Sequence, residues 1–465
     1  MSVTRCPALL VAAPASGQGK TTVVSALARL HARAGRRVSV FKVGPDFIDP
    51  AWHELASGRP VEQLDLWING EADCAARLHA AAARSDLILV EGVMGLFDGQ
   101  PSAADLAQRF GLPVLAVIDA GAMAGSFGAL AFGLRHYRPG LRWAGVLANR
   151  TAGAGHADML RDSLNDIDDW LGALPRSPAW TLPERHLGLT LAGELGDALA
   201  RIDAAADALA TTPLGRLDSA ALARRFDTGF AAPPPAAPVP PLLAGRRIAV
   251  ARDAAFCFIY PSNLATLAAL GAQVEFFSPL ADTRLPACDA VWLPGGYPEL
   301  HAGRLAANRP LRDALAARIA AGMPVWAECG GLMLLADTLS LADGDEYRLW
   351  GLLPGAVAMQ RRLAGLGPQR LRLDGHELRG HSFHYAACVS RAEVIAHSEP
   401  AGRGHGEAVY RHGPVLASFF HPRFASSPEA TARLFLPRGN AGAHAAGAIA
   451  GIGAAPAAAL PGSAA

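Results

Sequence analysis

Paired cysteines are missing from this sequence. Its six thiols, Cys6, Cys74, Cys257, Cys288, Cys329 and Cys388, lie far apart, and none falls in a Cys-x-x-Cys pair. That spacing argues against both a disulfide framework and a zinc site and fits a reducing cytosol. A charge excess is missing too. Lys+Arg 42 against Asp+Glu 41 leaves a net charge of +1, which predicts no nucleic-acid partner. No apolar run is both long and clean enough to span a membrane. Residues 111–134 come closest, but Pro113 and Asp119 interrupt them, and they read as strand, polar turn and packed helix. The apolar "ALLVAAPAS" near the N-terminus has the composition of a signal-peptide core. It runs straight into a glycine-rich loop, so it reads as a buried first strand. A soluble protein with no membrane partner is expected.

At 465 residues the chain has length for two or three domains with proper cores. In its first half, short β-rich runs at 8–13, 38–43, 87–90, 114–118 and 144–147 alternate with Ala/Leu/Arg helical patterns. That alternation predicts βαβ units and a parallel sheet. A helical, alanine-rich stretch then reaches about Phe230. "AAPPPAAPVPP" at 231–241 reads as a stiff linker. Strand patterns resume at 248–251, 273–277, 290–293, 325–327 and 415–419. The expected fold is therefore α/β with two parallel-sheet domains, at 1–230 and 246–437, joined by a proline-rich linker at 231–245. Residues 438–465 form an Ala/Gly tail with no packing face, for which disorder is expected.

What is present carries two chemistries. "APASGQGKTT" follows the first strand and opens a helix. Gly17 and Gly19 let backbone N–H groups curl around an anion, Lys20 can neutralise β/γ phosphates, and the Thr21 hydroxyl, with Thr22 beside it, can reach a Mg²⁺ ion. Pro14 stands where the strict P-loop pattern has its first glycine. "FKVGPDFIDP" adds Lys42, Asp46 and Asp49 at the end of the second strand. "LILVEGVMGLFDG" ends its strand in Glu91. Carboxylates gathered at strand ends beside a P-loop suit ATP and metal; Thr21, Asp46 and Glu91 are the expected metal ligands. Asp65 and Asp98 are weaker candidates, Asp98 reading equally well as a turn residue.

Far along the chain stands "VWAECGGLML". An apolar strand, a cysteine and two glycines before a helix resemble a nucleophile elbow. Cys329 is the candidate nucleophile, and the helix N-terminus after it is expected to lower the thiol pKa. The Gly330 N–H is a candidate oxyanion donor, with Gly295 and Gly296 of "LPGGYPEL" as a second source. A base is needed. "RGHSFHYA" offers His381 and His384, and "ASFFHPRF" offers His421. His421 is favoured because an apolar strand delivers it where Cys329 also lies.

Taken in order, "SGQGKTT", "FKVGPDFIDP", "VEGVMGLFDG", "YPSNL", "LPGGYPEL", "AECGGLM", "RGHSFHYA" and "ASFFHPRFASSP" resemble the cobyrinate or hydrogenobyrinate a,c-diamide synthases of cobalamin biosynthesis. The resemblance covers roughly residues 5–436. It implies a dethiobiotin-synthetase-like P-loop domain fused to a class I glutamine amidotransferase domain, with Cys329 and His421 catalytic. It also implies ATP as co-substrate, Mg²⁺, and cobyrinate or hydrogenobyrinate and glutamine as the other partners. A homodimer is the assembly considered. Tyr260, Asn263 and the "RGHSFHYA" segment are candidates for the substrate surface between the domains. Many class I amidotransferases carry His-x-Glu; here Arg423 stands two residues after His421, so the group orienting the imidazole is unassigned. Competing readings are the sister enzymes, cobyric acid synthase and nickel-sirohydrochlorin a,c-diamide synthase, and a regulatory P-loop ATPase with an inactive second domain.

Overall fold

The computed structural model describes residues 2–182, 184–185, 188–189, 196–234 and 238–438. All but the first residue of the expected disordered tail lies outside the described residues. In the first half, seven strands, β1 (Val3–Ala12), β2 (Val38–Val43), β3 (Glu62–Leu64), β4 (Leu87–Glu91), β5 (Val114–Asp119), β6 (Trp143–Thr151) and β7 (Trp170–Pro175), form a sheet in the order β3-β2-β4-β1-β5-β6-β7. These neighbours pair in parallel. Strands β2 and β4 are buried along their whole length, as expected for a sheet with helices on both faces. One face packs Leu10, Val90, Val114 and Phe127, and the other packs Val11, Val23, Leu89 and Leu147.

The order matters for the site. Strands β2, β4 and β1 are neighbours, so the segments after them open at one end of the sheet, although they are far apart in sequence. The expectation of helix up to about Phe230 is corrected. A helix spans Ser219–Phe226, and Asp227–Ala231 is then a strand, antiparallel to residues 3–7 of β1. Thr228 and Phe230 point inward there while Gly229 and Ala231 face out, a period of two that the preceding alanine-rich helices conceal.

The second half has its own sheet, ordered Gln273–Phe277, Arg247–Ala251, Ala290–Leu293, Val325–Glu328, Val415–Ser418, Ala408–His412, Glu393–His397. The first five strands run parallel and the last two antiparallel. Two four-stranded sheets, unexpected from the sequence, are built from residues 336–400 together with the short strand His421–Pro422. Their strands include Leu353–Met359, Gly365–Leu373 and His376–His384. Among the described residues, no helix is long and apolar enough to cross a membrane. The chain is thus α/β, with two sheet domains of the expected class.

Candidate active site

The loop after β1 curls around the start of helix α1 (Lys20–Arg33). Gly19 stands at its N-cap with φ 92°, and a Cβ there would come 2.1 Å from the Asn149 amide nitrogen, so only glycine fits. A cavity of about 670 Å³ opens beside it, a size suited to a nucleotide. Its walls include Gly17, Gly19, Lys20, Thr21, Thr22, Lys42, Asp46, Asp49 and Glu91. Apart from the weaker candidates Asp65 and Asp98, every residue expected from the sequence at this end is therefore brought to one cavity.

Lys42 is the hub of the charge network. Its Nζ lies 2.5 Å from Asp49, 3.1 Å from Glu91 and 3.7 Å from Asp46. Burial opposes the charge on Lys42, but these three carboxylates outweigh it and raise its pKa. Burial works against the Glu91 carboxylate as well; Lys42 and His53 overcome it and hold Glu91 well below the usual carboxylate range. Glu91 Oε1 also accepts from the Thr21 hydroxyl at 2.9 Å. Burial and the neighbouring Asp46 push Asp49 up. Asp46 Oδ1 accepts the backbone N–H groups of Ile48 and Asp49, which turns the chain into helix α2 (Asp49–Ser57). Lys20 Nζ donates to the carbonyls of Ala15 and Met94.

Thr21, Asp46 and Glu91 offer a hydroxyl and two carboxylates, hard oxygen donors of the kind Mg²⁺ takes. Among the described residues, no group of three or more His, Cys, Asp or Glu is arranged as a ready metal cage. Mg²⁺ ordinarily needs no such cage, because substrate phosphates and water complete its shell. The donor set fits. Asp65 does not line this cavity; its carboxylate accepts the N–H groups of Trp67 and Ile68. Asp98 accepts the Gly95 N–H, as a turn residue would.

At the other end, Val325–Glu328 pairs in parallel with Val415–Ser418, so both strands release their next residues on one side. Cys329 follows the first strand with φ 49° and ψ −102°, a strained turn into the short helix Gly330–Leu335. His421 follows the second. A Cβ on Gly295 would lie 2.6 Å from His421 Cε1 and 3.4 Å from Cys329 Cβ, so imidazole edge and thiol carbon flank the same small space. Cys329, His421, His381, His384 and Gly296 line a cavity of about 160 Å³. Gly295 and Gly330 lie just behind this wall.

One expectation is overturned here. The helix start does not leave the thiol pKa lowered overall. Burial pushes Cys329 well above the ordinary thiol range, and Glu328 and Glu299 add to the shift; the Gly330 N–H opposes them weakly. A helix of six residues has too small a dipole to reverse that. The substrate-surface expectation for Tyr260 and Asn263 is corrected too. Both are buried. The Asn263 amide donates to Pro422 O and its oxygen accepts the Phe424 N–H, fastening the turn that carries His421. Within "RGHSFHYA", His384 Nε2 lies 3.1 Å from Glu407, while His381 stacks on His421 with ring centroids 4.9 Å apart.

The two cavities share a wall residue. Phe47, from the loop after β2, stacks between Phe258 (4.8 Å) and Tyr260 (4.2 Å) of the second half, and lies 5.5 Å from the His421 ring. Its neighbour Asp46 lines both the 670 Å³ and the 160 Å³ cavity. Arg423 reaches back across the junction, with Nη2 3.8 Å from Asp73 of helix Glu71–Arg84.

Sequence reasoning missed several groups. His53 is fully buried and paired with Glu91 through one ring nitrogen and with Ser25 through the other. Asn149, Arg150, Arg176 and Trp180 complete the larger cavity. Glu328, adjacent to Cys329, is 2.6 Å from His421 Nδ1. A signal for the phosphate end was available in the composition: Lys20 and Lys42 are the only lysines in the chain.

A P-loop cavity and a Cys–His cavity opening onto a shared loop define an ATP-dependent glutamine amidotransferase. Residues 9–189 match the CobQ/CobB/MinD/ParA nucleotide binding domain, and residues 247–429 match the CobB/CobQ-like glutamine amidotransferase domain. The hydrogenobyrinate a,c-diamide synthase of Pseudomonas aeruginosa is 54% identical over 438 residues, covering 94% of this chain and 99% of that one. The protein of the same name from Stutzerimonas stutzeri is 54% identical over 438 residues, with 94% and 100% covered. The cobyrinate a,c-diamide synthase of Herminiimonas arsenicoxydans is 48% identical over 432 residues, with 92% and 96% covered. The chain belongs to the cobyrinate and hydrogenobyrinate a,c-diamide synthase family.

Proposed function

We propose that this protein uses ATP and glutamine to convert the a and c side-chain carboxylates of hydrogenobyrinate, or of its cobalt-containing counterpart cobyrinate, into amides. The observation that carries this reading is Asp46, which lines both the phosphate-end cavity and the thiol-end cavity. An amidation that draws nitrogen from glutamine needs such a junction.

A carboxylate resists attack because its charge is delocalised and oxide is a poor leaving group. Transfer of the ATP γ-phosphoryl group to a carboxylate oxygen gives an acyl phosphate and ADP. Ammonia then attacks the acyl carbon, and inorganic phosphate leaves with the carbon–oxygen bond. Lys20 and Lys42 supply positive charge where phosphate charge shifts, and backbone N–H groups around Gly17 and Gly19 hold the phosphates. Mg²⁺, held by Thr21, Asp46 and Glu91 oxygens, supplies charge neutralisation for the phosphates when bound.

At the other cavity Cys329 Sγ attacks the glutamine carboxamide carbon while His421 takes the thiol proton and returns it to the departing ammonia. Water then cleaves the glutamyl thioester to glutamate and restores the thiol. The high thiol pKa is compatible with this scheme, because the proton moves to His421 during attack rather than before it. The Gly330 N–H, beside the thiol, and the N–H of Gly296, which lines the same cavity, are the candidate oxyanion donors. Incubating the purified protein with ATP, Mg²⁺, glutamine and either cobyrinic acid or its metal-free form, with mass spectrometry of the ring, tests the proposal. Two carboxyl-to-amide conversions on one of them are expected. Glutamine hydrolysis without any ring amidation would overturn it.

A further inference from the structure

His421 lacks the acid that many class I amidotransferases place two residues later, since Arg423 occupies that position. Arg423 does not substitute for it. Its guanidinium lies 5.6 Å from the Tyr260 ring centroid and 3.8 Å from Asp73 in the first half of the chain. We infer that Glu328, the residue immediately before Cys329, is the positioning residue for His421. This inference rests on the proposed Cys329–His421 glutaminase.

The geometry is specific. Glu328 ends the buried strand Val325–Glu328, and both its carboxylate and the His421 ring are about 1% exposed. Glu328 Oε1 lies 2.6 Å from His421 Nδ1. Glu328 Oε2 accepts the indole N–H groups of Trp292 at 3.2 Å and Trp326 at 3.3 Å. Three donors thus converge on one carboxylate, which satisfies it without water. The two indoles lie on strands Ala290–Leu293 and Val325–Glu328, so the carboxylate is fixed by the sheet rather than by a loop.

An ionised carboxylate can only accept. Nδ1 of His421 must therefore carry a proton, which in the neutral ring leaves the lone pair on Nε2. The Cε1 edge between the two nitrogens borders the space beside Gly295 that Cys329 Cβ also borders. The tautomer selected by Glu328 is the one able to take the thiol proton. Once it does, the imidazolium has an anion against it in a site closed to solvent. His381 stacks on the same ring, and burial together with His421 holds His381 well below the usual imidazole range, so it adds no competing charge. Glu328 also sits beside the thiol and disfavours a free thiolate.

The test uses the full chain carrying E328Q, E328D and, as reference, C329A. E328Q offers an amide that fills the same space but cannot serve all three donors as an anion. Losing the orienting carboxylate of an established triad costs about 10⁴ in kcat through the wrong tautomer. A fall of about 10³–10⁴ in kcat for glutamine hydrolysis is expected, with KM for glutamine changed less than threefold and ammonia-dependent amidation within twofold. E328D should recover part of the loss. In ¹⁵N-histidine spectra His421, assigned by its absence in H421Q, should carry its proton on Nδ1 in the unsubstituted protein. Glutaminase within threefold in E328Q, while C329A has none, would overturn the inference and leave the Cys–His reading intact. If E328Q loses both nitrogen sources through misfolding, the tautomer decides: a proton on Nε2 of the unsubstituted protein overturns it. Glutaminase that survives in C329A would instead refute the underlying reading.

Discussion

Gly295→Ala is the most demanding test of the proposed glutaminase geometry, because it adds one methyl group at a known place. That Cβ would stand 2.6 Å from His421 Cε1, 3.2 Å from Phe258 Cδ2 and 3.4 Å from Cys329 Cβ. Non-bonded carbons rest at about 3.5–4.0 Å, so the imidazole must retreat by about 1 Å. It cannot do so freely. Its Nδ1 is tied to Glu328, and the His381 and Phe47 rings pack against it. A displacement of about 1 Å at a reacting group costs on the order of 10² in rate, or about 2.7 kcal/mol in the barrier. G295A should therefore lower glutamine hydrolysis and glutamine-dependent amidation about 100-fold, leaving amidation with ammonium salts within twofold. Gly155→Ala is the control: its Cβ meets nothing within 4 Å, and both rates should stay unchanged. A G295A protein whose glutamine-dependent rate remains within threefold would refute the assignment of His421 as the base.

Three further expectations follow from the same geometry. Cys329→Ser should abolish glutamine-dependent amidation while keeping the ammonia-dependent reaction; equal loss of both would count against two separate sites. Glu91→Gln breaks the network with Thr21, Lys42 and His53 and should cost about 10²–10³ in amidation with either nitrogen source; unaltered ammonia-driven turnover would show that the phosphate end lies elsewhere. Because burial, Glu328 and Glu299 raise the Cys329 pKa, the thiol is protonated through the neutral range. Its alkylation by iodoacetamide, followed by peptide mapping, should be slow at pH 7.5 and still climbing above pH 9, whereas a plateau below pH 8 would contradict the shift.

The parallel strands were the legible part of the fold. Residues 38–43 and 273–277 read from the sequence match strands to the residue, because each sets β-branched and aromatic residues just after a glycine-containing turn. The sheets within residues 336–400 were not legible. Gly365–Leu373 contains two glycines and a proline, and Glu346–Arg348 has no apolar alternation; pairing with neighbours, not local pattern, makes them strands. The phosphate-end residues were legible because each lies at a strand end, at a helix start or in the loop between the two. His53 was not, since a histidine inside a helix becomes informative only when a distant carboxylate, Glu91, meets it. Glu328 stood beside the candidate nucleophile, yet only the inter-strand register shows that its carboxylate turns to His421 rather than to solvent.

The confinement of lysine to positions 20 and 42 has a practical consequence. Apart from the α-amine, amine-directed chemistry can touch this protein only inside the phosphate-end cavity. The two ε-amines are unlike as targets. Lys42 is locked against three acids and stays protonated, whereas burial lowers the Lys20 pKa and leaves it the readier nucleophile. A single covalent tag on Lys20 would thus report occupancy of that cavity against a silent background of arginine.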